Sequence, residues 1–309
     1  EVEISLKSGE VVFNSLDASK YALYKVYILK EKWFVKHNKQ EYCVLKDDFS
    51  VIIDEEHIQF DCVFNAIHGD PGENGALIAY FDLLGIKHTS APFYQMALTF
   101  NKRDTLSVVK EYGIPIAKSF YLHQRDEIDT GRIIKKVGLP CFVKPNRAGS
   151  SFGISKVYKE ENLKVAIEKA CQEDKEILIE SFLDGTEISV GVIEYQGKLT
   201  VLPITEIVSE NDFFDYEAKY EGKSEEITPA RISGAEKEKV GRLATKVYQV
   251  LNMKGFSRSE FIIVDGEPHF LEINTVPGMT MESLLPQQAK EASISLTDLF
   301  DNAIQMALN

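Results

Sequence analysis

Residues 256–280, FSRSEFIIVDGEPHFLEINTVPGMT, constrain the fold more than any other stretch. Two runs rich in Ile, Val and Phe flank Asp265-Gly266-Glu267-Pro268, the pattern of a β-hairpin. Strand side chains alternate between faces. Arg258, Glu260 and Ile262 therefore share a face of the first strand, and Phe270, Glu272 and Asn274 share one of the second. A three-residue loop at 265–267 pairs Val264 with Pro268, Glu260 with Glu272 and Arg258 with Asn274. A two-residue turn pairs Glu260 with Leu271 instead, and only a bulge then brings the two acids together. Carboxylates opposite each other on a ladder repel. Either both point into water, as acids at strand edges often do, or a cation lies between them. Glu, Glu and Asn are hard oxygen donors of the kind Mg²⁺ takes beside phosphates.

A hairpin of this kind needs a larger body around it. The 309 residues can bury substantial cores and divide into two or three units. At 44% hydrophobic and 27% charged the composition is that of a globular protein. No long apolar run reads as a membrane span, and the opening residues carry no secretory pattern. A net charge of −13 argues against general nucleic-acid binding, so an anionic ligand needs a local group of Lys and Arg. The cysteines Cys43, Cys62, Cys141 and Cys171 are scattered. Cys62 and Cys141 lie in apolar runs and read as buried thiols, which suits a reducing cytosol. The chain opens on Glu1 rather than Met, and a strand and loop are expected ahead of it.

In order along the chain, Ser5 to Leu16 reads as a weakly patterned helix. Ala22 to Val35 and Lys39 to Leu45 read as strands. Asp61 to Ile67 is a continuous apolar run, as in a buried strand. It ends in His68-Gly-Asp-Pro-Gly-Glu-Asn-Gly75, followed by a helix with Leu77, Phe81 and Leu84 on one face and Gly85 as its stop. Loops at the carboxyl ends of strands carry functional groups, and His68 is either a ligand contact or a loop histidine bonded to backbone. A helix from Lys102 turns Leu106, Val109 and Tyr112 inward and stops at Gly113 and Pro115. Leu139 to Val143 is a strand delivering Lys144 to the loop Lys-Pro-Asn-Arg-Ala-Gly-Ser-Ser-Phe-Gly153. Small residues let backbone N–H groups turn toward an anion, although a Gly/Ser loop is equally often a plain turn. Glu176 to Glu180 is a strand, and Gly185 marks a bend. A polar, aromatic loop from Ser209 to Pro229 is long enough to serve as a lid. A helix starts at the capping box Ser233…Glu236, with Val240, Leu243, Ala244, Val247 and Leu251 as its buried stripe.

Two lysines on separate elements, a Gly/Ser loop, a strand with Glu180 and Glu187, and the acidic hairpin together resemble the ATP-grasp fold. The stretches HGDPGENG, FVKPNRAGSSFGISKV, FFDYEAKY and LEINTVPGMTMESLLP, with EVEISLKSG at the start, resemble the D-alanine–D-alanine ligase family along essentially the whole chain. The resemblance implies a three-domain α/β (α+β) ATP-grasp fold with units at 1–88, 89–183 and 184–309 and ATP between the last two. It implies ATP-dependent joining of two D-alanines through an acyl phosphate, for peptidoglycan precursors, in a cytoplasmic homodimer without nucleic-acid or membrane partners.

Carried over by motif, Glu260, Glu272 and Asn274 hold two Mg²⁺ ions, with Mn²⁺ a substitute. Lys102 and Lys144 meet the inner phosphates, Lys219 the terminal phosphate, and the Ser151 backbone covers it. Glu180 and Leu183 meet adenine, and Glu187 the ribose hydroxyls. Arg258 and the Gly278 N–H face developing oxyanions. Glu1 takes the first alanine's ammonium and His68 its carboxylate side. Ser150, Tyr220 and Glu1 form a hydrogen-bonded set, and Ser283 and Leu284 receive the second alanine's carboxylate. Two positions depart from the family pattern. Ser181 stands where many members have a lysine, and Arg258-Ser259-Glu260 where Arg-x-Asp is common. The longer Glu260 is expected to shift the metal site without abolishing it. A tyrosine at 220 resembles the branch that uses an amine rather than D-lactate. A D-alanine–D-lactate (or other D-amino acid pair) ligase and a non-catalytic nucleotide-binding module are the alternatives.

Overall fold

The computed structural model describes residues 1–149, 152–209 and 224–309. Helix α1 (Val2–Ser15) leads into an antiparallel sheet of β1 (Val26–Ile28), β2 (Trp33–His37), β3 (Gln40–Leu45), β4 (Ser50–Ile53) and β5 (Glu56–Ile58), in that order. The stretch Ala22 to Val35, expected as one strand, is two, because a turn at Leu29–Lys32 closes with the Leu29 N–H donating to the Lys32 carbonyl at 3.1 Å. The run Asp61 to Ile67 is strand only over β6 (Cys62–Val63), parallel to β7 (Lys87–His88) across helix α2 (Ala76–Leu84). The buried Asn65 ends it. Its Nδ2 donates to the Gly72 carbonyl at 2.8 Å and its Oδ1 accepts from the Ile67 N–H at 3.0 Å, so side-chain bonds replace the ladder there.

Helices α3 (Phe93–Phe100) and α4 (Lys102–Glu111) follow. Leu106 and Val109 are buried as expected, but Tyr112 is 55% exposed, because α4 has ended by then and Tyr112 sits at its cap. The next sheet contains β8 (Ser119–His123), β9 (Cys141–Pro145), β10 (Ser155–Val157) and β11 (Glu176–Ser181), antiparallel in the order β10-β9-β11-β8. Alternation divides its two faces. Cys141, Val143, Val157, Ile177 and Ile179 form a core with α5 (Thr130–Val137) and α6 (Leu163–Ala170). Phe142, Lys144, Lys156 and Glu180 occupy the other face.

The third sheet follows the same logic. It comprises β12 (Thr186–Tyr195), β13 (Lys198–Val201), β14 (Thr205–Ser209), β15 (Ser224–Ile227), β16 (Ser257–Val264) and β17 (Glu267–Asn274). The order is β15-β14-β12-β16-β17, with β13 also on β12. Ile188, Val190, Phe261, Ile263 and Phe270 face a core with α7 (Gly234–Val250), which starts at the complete Ser233–Glu236 capping box. Glu187, Arg258, Glu260, Glu272 and Asn274 line the opposite face. Helices α8 (Leu284–Glu291) and α9 (Leu296–Leu308) pack with α1 around a further core containing Val12, Met279, Leu285 and Phe300. A side chain at Gly185 would collide with the Ile263 carbonyl, so the bend between β11 and β12 needs glycine.

The hairpin differs from expectation in its turn and agrees at the acids. The turn has two residues, Asp265 and Gly266, both at positive φ (49° and 77°), and Val264 pairs with Glu267 rather than Pro268. Leu271 is then an extra residue. The bulge there restores Glu260 opposite Glu272 and Arg258 opposite Asn274. It also moves Phe270 off the face of Glu272: Phe270 pairs with Phe261, ring centroids 5.7 Å apart, on the core side. The Phe270 N–H donates to the Pro115 carbonyl at 2.8 Å, which ties the hairpin to the segment after α4.

The four cysteines are free thiols; Cys141 is buried as expected, whereas Cys62 is half-buried. Among the described residues no helix is long and apolar enough to cross a membrane.

Candidate active site

The lysine-bearing face of the central sheet and the acidic face of the third sheet meet at Lys102. This residue opens α4, and its Nζ donates to the Ala148 carbonyl at 2.9 Å and lies 3.3 Å from Glu272 Oε2. One ammonium thus joins the loop after β9 to the hairpin. Lys144 stands at the end of β9, paired with Glu180 Oε2 at 2.5 Å. Burial works to lower the Lys144 pKa. The attraction of Glu180, Glu272 and Glu187 outweighs it and leaves the ammonium above its ordinary value. The lysine is therefore charged at any physiological pH.

On the hairpin, Arg258 Nη2 donates to Glu260 Oε1 at 2.8 Å, and both side chains are buried. Glu272 faces Glu260 across the ladder, and Asn274 faces Arg258. The Asn274 Nδ2 and Arg258 Nε are buried without hydrogen-bond partners. Two opposed carboxylates and an amide oxygen within one strand pair fit a hard divalent cation. Leu183 and Glu187 lie on either side of the Gly185 bend, between the two sheets. Ser181, where the family often has lysine, bonds to backbone: its Oγ accepts from the Lys118 N–H at 3.1 Å.

The residues expected at the first alanine also converge. A Cβ built on Gly149 would stand 2.6 Å from Glu1 Oε1, and one on Gly69 would clash with the same carboxylate. Glu1 is therefore wedged between the loop after β6 and the loop after β9. His68 is held by two serines: its N–H donates to Ser5 Oγ and its Nε2 lies against Ser8 Oγ, each at 3.0 Å. Ser8 Oγ also accepts from the Met279 N–H at 3.2 Å. Gly278 packs on Ser283, where a Cβ would come within 2.6 Å of the hydroxyl. That hydroxyl turns to Thr280 Oγ1 at 2.8 Å instead of capping α8, whose first residue is Leu284. The expected site residues Ser150, Ser151, Lys219 and Tyr220, and most of the expected Ser209–Pro229 lid loop, lie outside the described residues.

Three features escaped sequence reasoning. Ser5 and Ser8 carry a faint signal, being two hydroxyls three apart on one helix face. Lys156 sits 4.0 Å from the ring centroid of Phe182, beside Leu183, and its signal was its alternation with Val157 in a short strand. Glu73 is the third. Its Oε2 accepts from the Gly69 N–H at 2.9 Å. Burial pushes its carboxyl up to about 6, the Gly69 N–H works against this, and Glu1 and Glu272 add to the rise.

That shift has a consequence for stability. The carboxyl ionises near 4.5 in the unfolded chain and near 6 in the folded one. Across that window the folded state holds the proton more tightly, so stability falls as pH rises through it and stays lower above. The difference amounts to about 2 kcal/mol at neutral pH. Glu73→Gln keeps the acceptor for Gly69 and is expected to raise the metal-free unfolding free energy at pH 7.5 but not at pH 4.5. Urea denaturation at both values checks this, and equal gains at the two would refute it.

A cleft of about 300 Å³ lined by Leu122, Ile128, Ile167, Cys171 and Ile177 opens on the helix-covered side of the central sheet and contains none of these groups.

The family description "D-ala D-ala ligase N-terminus" matches residues 1–91, and "D-ala D-ala ligase C-terminus" matches residues 108–305. The D-alanine–D-alanine ligase of Flavobacterium johnsoniae is 64% identical over 309 residues, covering 100% of this chain and 96% of that one. That of Phocaeicola vulgatus is 43% identical over 99% of this chain and 95% of its own. Among solved structures, the VanG D-Ala:D-Ser ligase from Enterococcus faecalis superposes with a TM-score of 0.88 at 29% identity, covering 99% of this chain and 95% of that one. The D-alanine–D-alanine ligase of Bacillus anthracis complexed with ATP gives 0.79 at 25% identity, over 99% and 92%. With an acidic hairpin facing two lysines across an ATP-grasp fold, the chain belongs to the D-alanine–D-alanine ligase family.

Proposed function

We propose that this protein joins two D-alanines at the expense of ATP in a bacterial cytoplasm, supplying the dipeptide for peptidoglycan precursors. The observation that carries the reading is the position of Lys102, bonded at once to the loop after Lys144 and to Glu272. A polyphosphate between the two sheets meets ammonium groups from one side and carboxylates from the other. Those carboxylates tolerate it only with cations between, which is the arrangement phosphoryl transfer needs. Glu260, Glu272 and Asn274 would hold two Mg²⁺, which supply charge neutralisation on the transferred phosphoryl group. Units 1–88, 89–183 and 184–309 divide the work. The first holds the first amino acid at Glu1 and His68. The second holds the phosphates at Lys102 and Lys144 and the adenine at Glu180 and Leu183. The third holds the ribose at Glu187, the metal and the second amino acid.

The first D-alanine's carboxylate oxygen attacks the γ-phosphorus, the bond to the β–γ bridging oxygen breaks, and ADP leaves. The resulting D-alanyl phosphate has a good leaving group where the carboxylate had none. The second D-alanine, its amine neutral, attacks the carbonyl carbon, and the tetrahedral adduct breaks its C–O bond to the phosphoryl group, the nitrogen's surplus proton leaving with the phosphate. Arg258 and the Gly278 N–H stabilise the oxyanion of that adduct, as preorganised donors do. Ser283 and the Leu284 N–H at the start of α8 receive the second carboxylate. The roles of Ser150, Ser151, Lys219 and Tyr220 rest on their motifs alone. The family resemblance also supports a homodimer.

Phosphate release with ATP, Mg²⁺ and D-Ala tests the reading, with L-Ala, D-Ala plus D-Ser and D-Ala plus D-lactate as comparisons. Release with D-Ala alone, yielding the dipeptide, is expected. Turnover only when D-lactate or D-Ser is added would replace the second substrate. No turnover with any pair would end the ligase reading.

A further inference from the structure

The two lysines proposed to hold the inner phosphates lie on different elements, Lys102 at the start of α4 and Lys144 near the end of β9. Neither element dictates where the other sits. We propose that Asn146 is the positioning residue that sets Lys102 relative to Lys144 and so determines how tightly the β-phosphate of the nucleotide is held. The inference rests on the nucleotide reading above.

Asn146 is 1% exposed, two residues beyond Lys144. Every polar group it has is used, and the partners fall on both sides of the gap. Its carbonyl accepts from the Lys102 N–H at 3.2 Å. Its Oδ1 accepts from the Arg103 N–H at 2.8 Å. Its Nδ2 donates to Asn101 Oδ1 at 2.8 Å and to Glu176 Oε2 at 3.1 Å, and its own N–H donates to the Glu176 carbonyl at 2.9 Å. The first N–H groups of a helix lack partners within it. In α4 the third is capped locally by Asn101, whose Oδ1 accepts from Asp104 at 3.1 Å. The first two are capped by Asn146, more than 40 positions away in the chain.

The first turn that carries Lys102 is therefore bonded directly to the loop that follows Lys144. Arg103 closes the ring through Glu176 Oε1 at 2.7 Å. Arg147 anchors the next residue by paired bonds to Asp174, at 2.9 and 3.0 Å. A buried asparagine satisfied within one element would say only that the core is closed. This one spans two elements, and one of its partners is the backbone N–H of a phosphate-binding lysine. Bonds in such a network polarise and support one another, so losing the central amide loosens the whole ring.

The test compares nucleotides that differ in the group the two lysines would hold. Inhibition constants of ADP and AMP against ATP are measured with Mg²⁺ for the wild type, Asn146→Ala and Glu176→Gln. Asn146→Ala is expected to weaken ADP on the order of tenfold and to raise the KM for ATP in parallel. AMP, which has no β-phosphate, should change by less than about twofold, as should the KM for the first D-alanine. Glu176→Gln should move ADP in the same direction by a smaller factor. It decides the matter alone if Asn146→Ala does not fold, which a thermal melt reports. Equal weakening of ADP and AMP would mean that Asn146 merely supports the fold, and unchanged ADP affinity would overturn the proposal outright. Wild-type protein that ignores both nucleotides would overturn the nucleotide reading beneath it.

Discussion

Glu272→Gln is expected to lower dipeptide formation by on the order of 10²–10³-fold, the range for deleting one preorganised charge at a reacting group. Glu272 is the only hairpin acid that contacts the central unit among the described residues, through Lys102 at 3.3 Å, and it faces Glu260 across the ladder. Glutamine keeps the shape and one oxygen but removes the charge that would hold a divalent cation against the phosphates. Stability should not suffer, since the repulsion between facing carboxylates is relieved. Phosphate release at saturating ATP and D-Ala reads the effect, and Mg²⁺ titration should show a weaker metal response in the residual activity. Undiminished turnover would mean that Glu272 holds no metal.

Phe270→Ala is the largest expected loss of stability. Phe270 is fully buried, packs edge-on against the equally buried Phe261, and belongs to the core shared by α7 and the third sheet. Truncating a buried Phe removes its transfer free energy and leaves a cavity, about 3–5 kcal/mol together. Phe270→Leu should cost less than about 1.5 kcal/mol. Urea denaturation with an unchanged slope checks both. A loss below about 1 kcal/mol for alanine would show that Phe270 does not sit in a close-packed core. The backbone bond from the Phe270 N–H to Pro115 is independent of the side chain, so the substitution isolates packing from the anchoring of the bulge.

That bulge shows where local reading stops. Asp-Gly between two apolar runs announces a hairpin, and the chemistry of Glu260, Glu272 and Asn274 is legible from residue type alone. Which of the two possible routes to their register the chain takes was not. Turn conformation favours two residues, Asp265 and Gly266 at positive φ, and a regular ladder would then misplace the acids. The core decides otherwise: Pro268, Phe270 and Ile273 are all buried, an odd step between the last two that only an extra residue at Leu271 allows. Asn65 is similar. A single polar residue in an apolar run diverted the backbone out of the strand, because its amide found partners that no periodicity foretold.

By itself the sequence determined residue chemistry and periodicity: hairpins, helix starts, which faces are apolar, and a motif order that identified the family. These depend on contacts within a few positions, or on patterns that alternate with a fixed step. Only the tertiary structure decided which groups meet. Glu1 between Gly69 and Gly149, Ser8 linking His68 to Met279, the half-buried Glu73 near two other acids, and Asn146 capping a helix from another element all pair residues far apart in the chain. Their energies come from desolvation and hydrogen-bond geometry, which exist only once the sheets have packed and water has left the space between them.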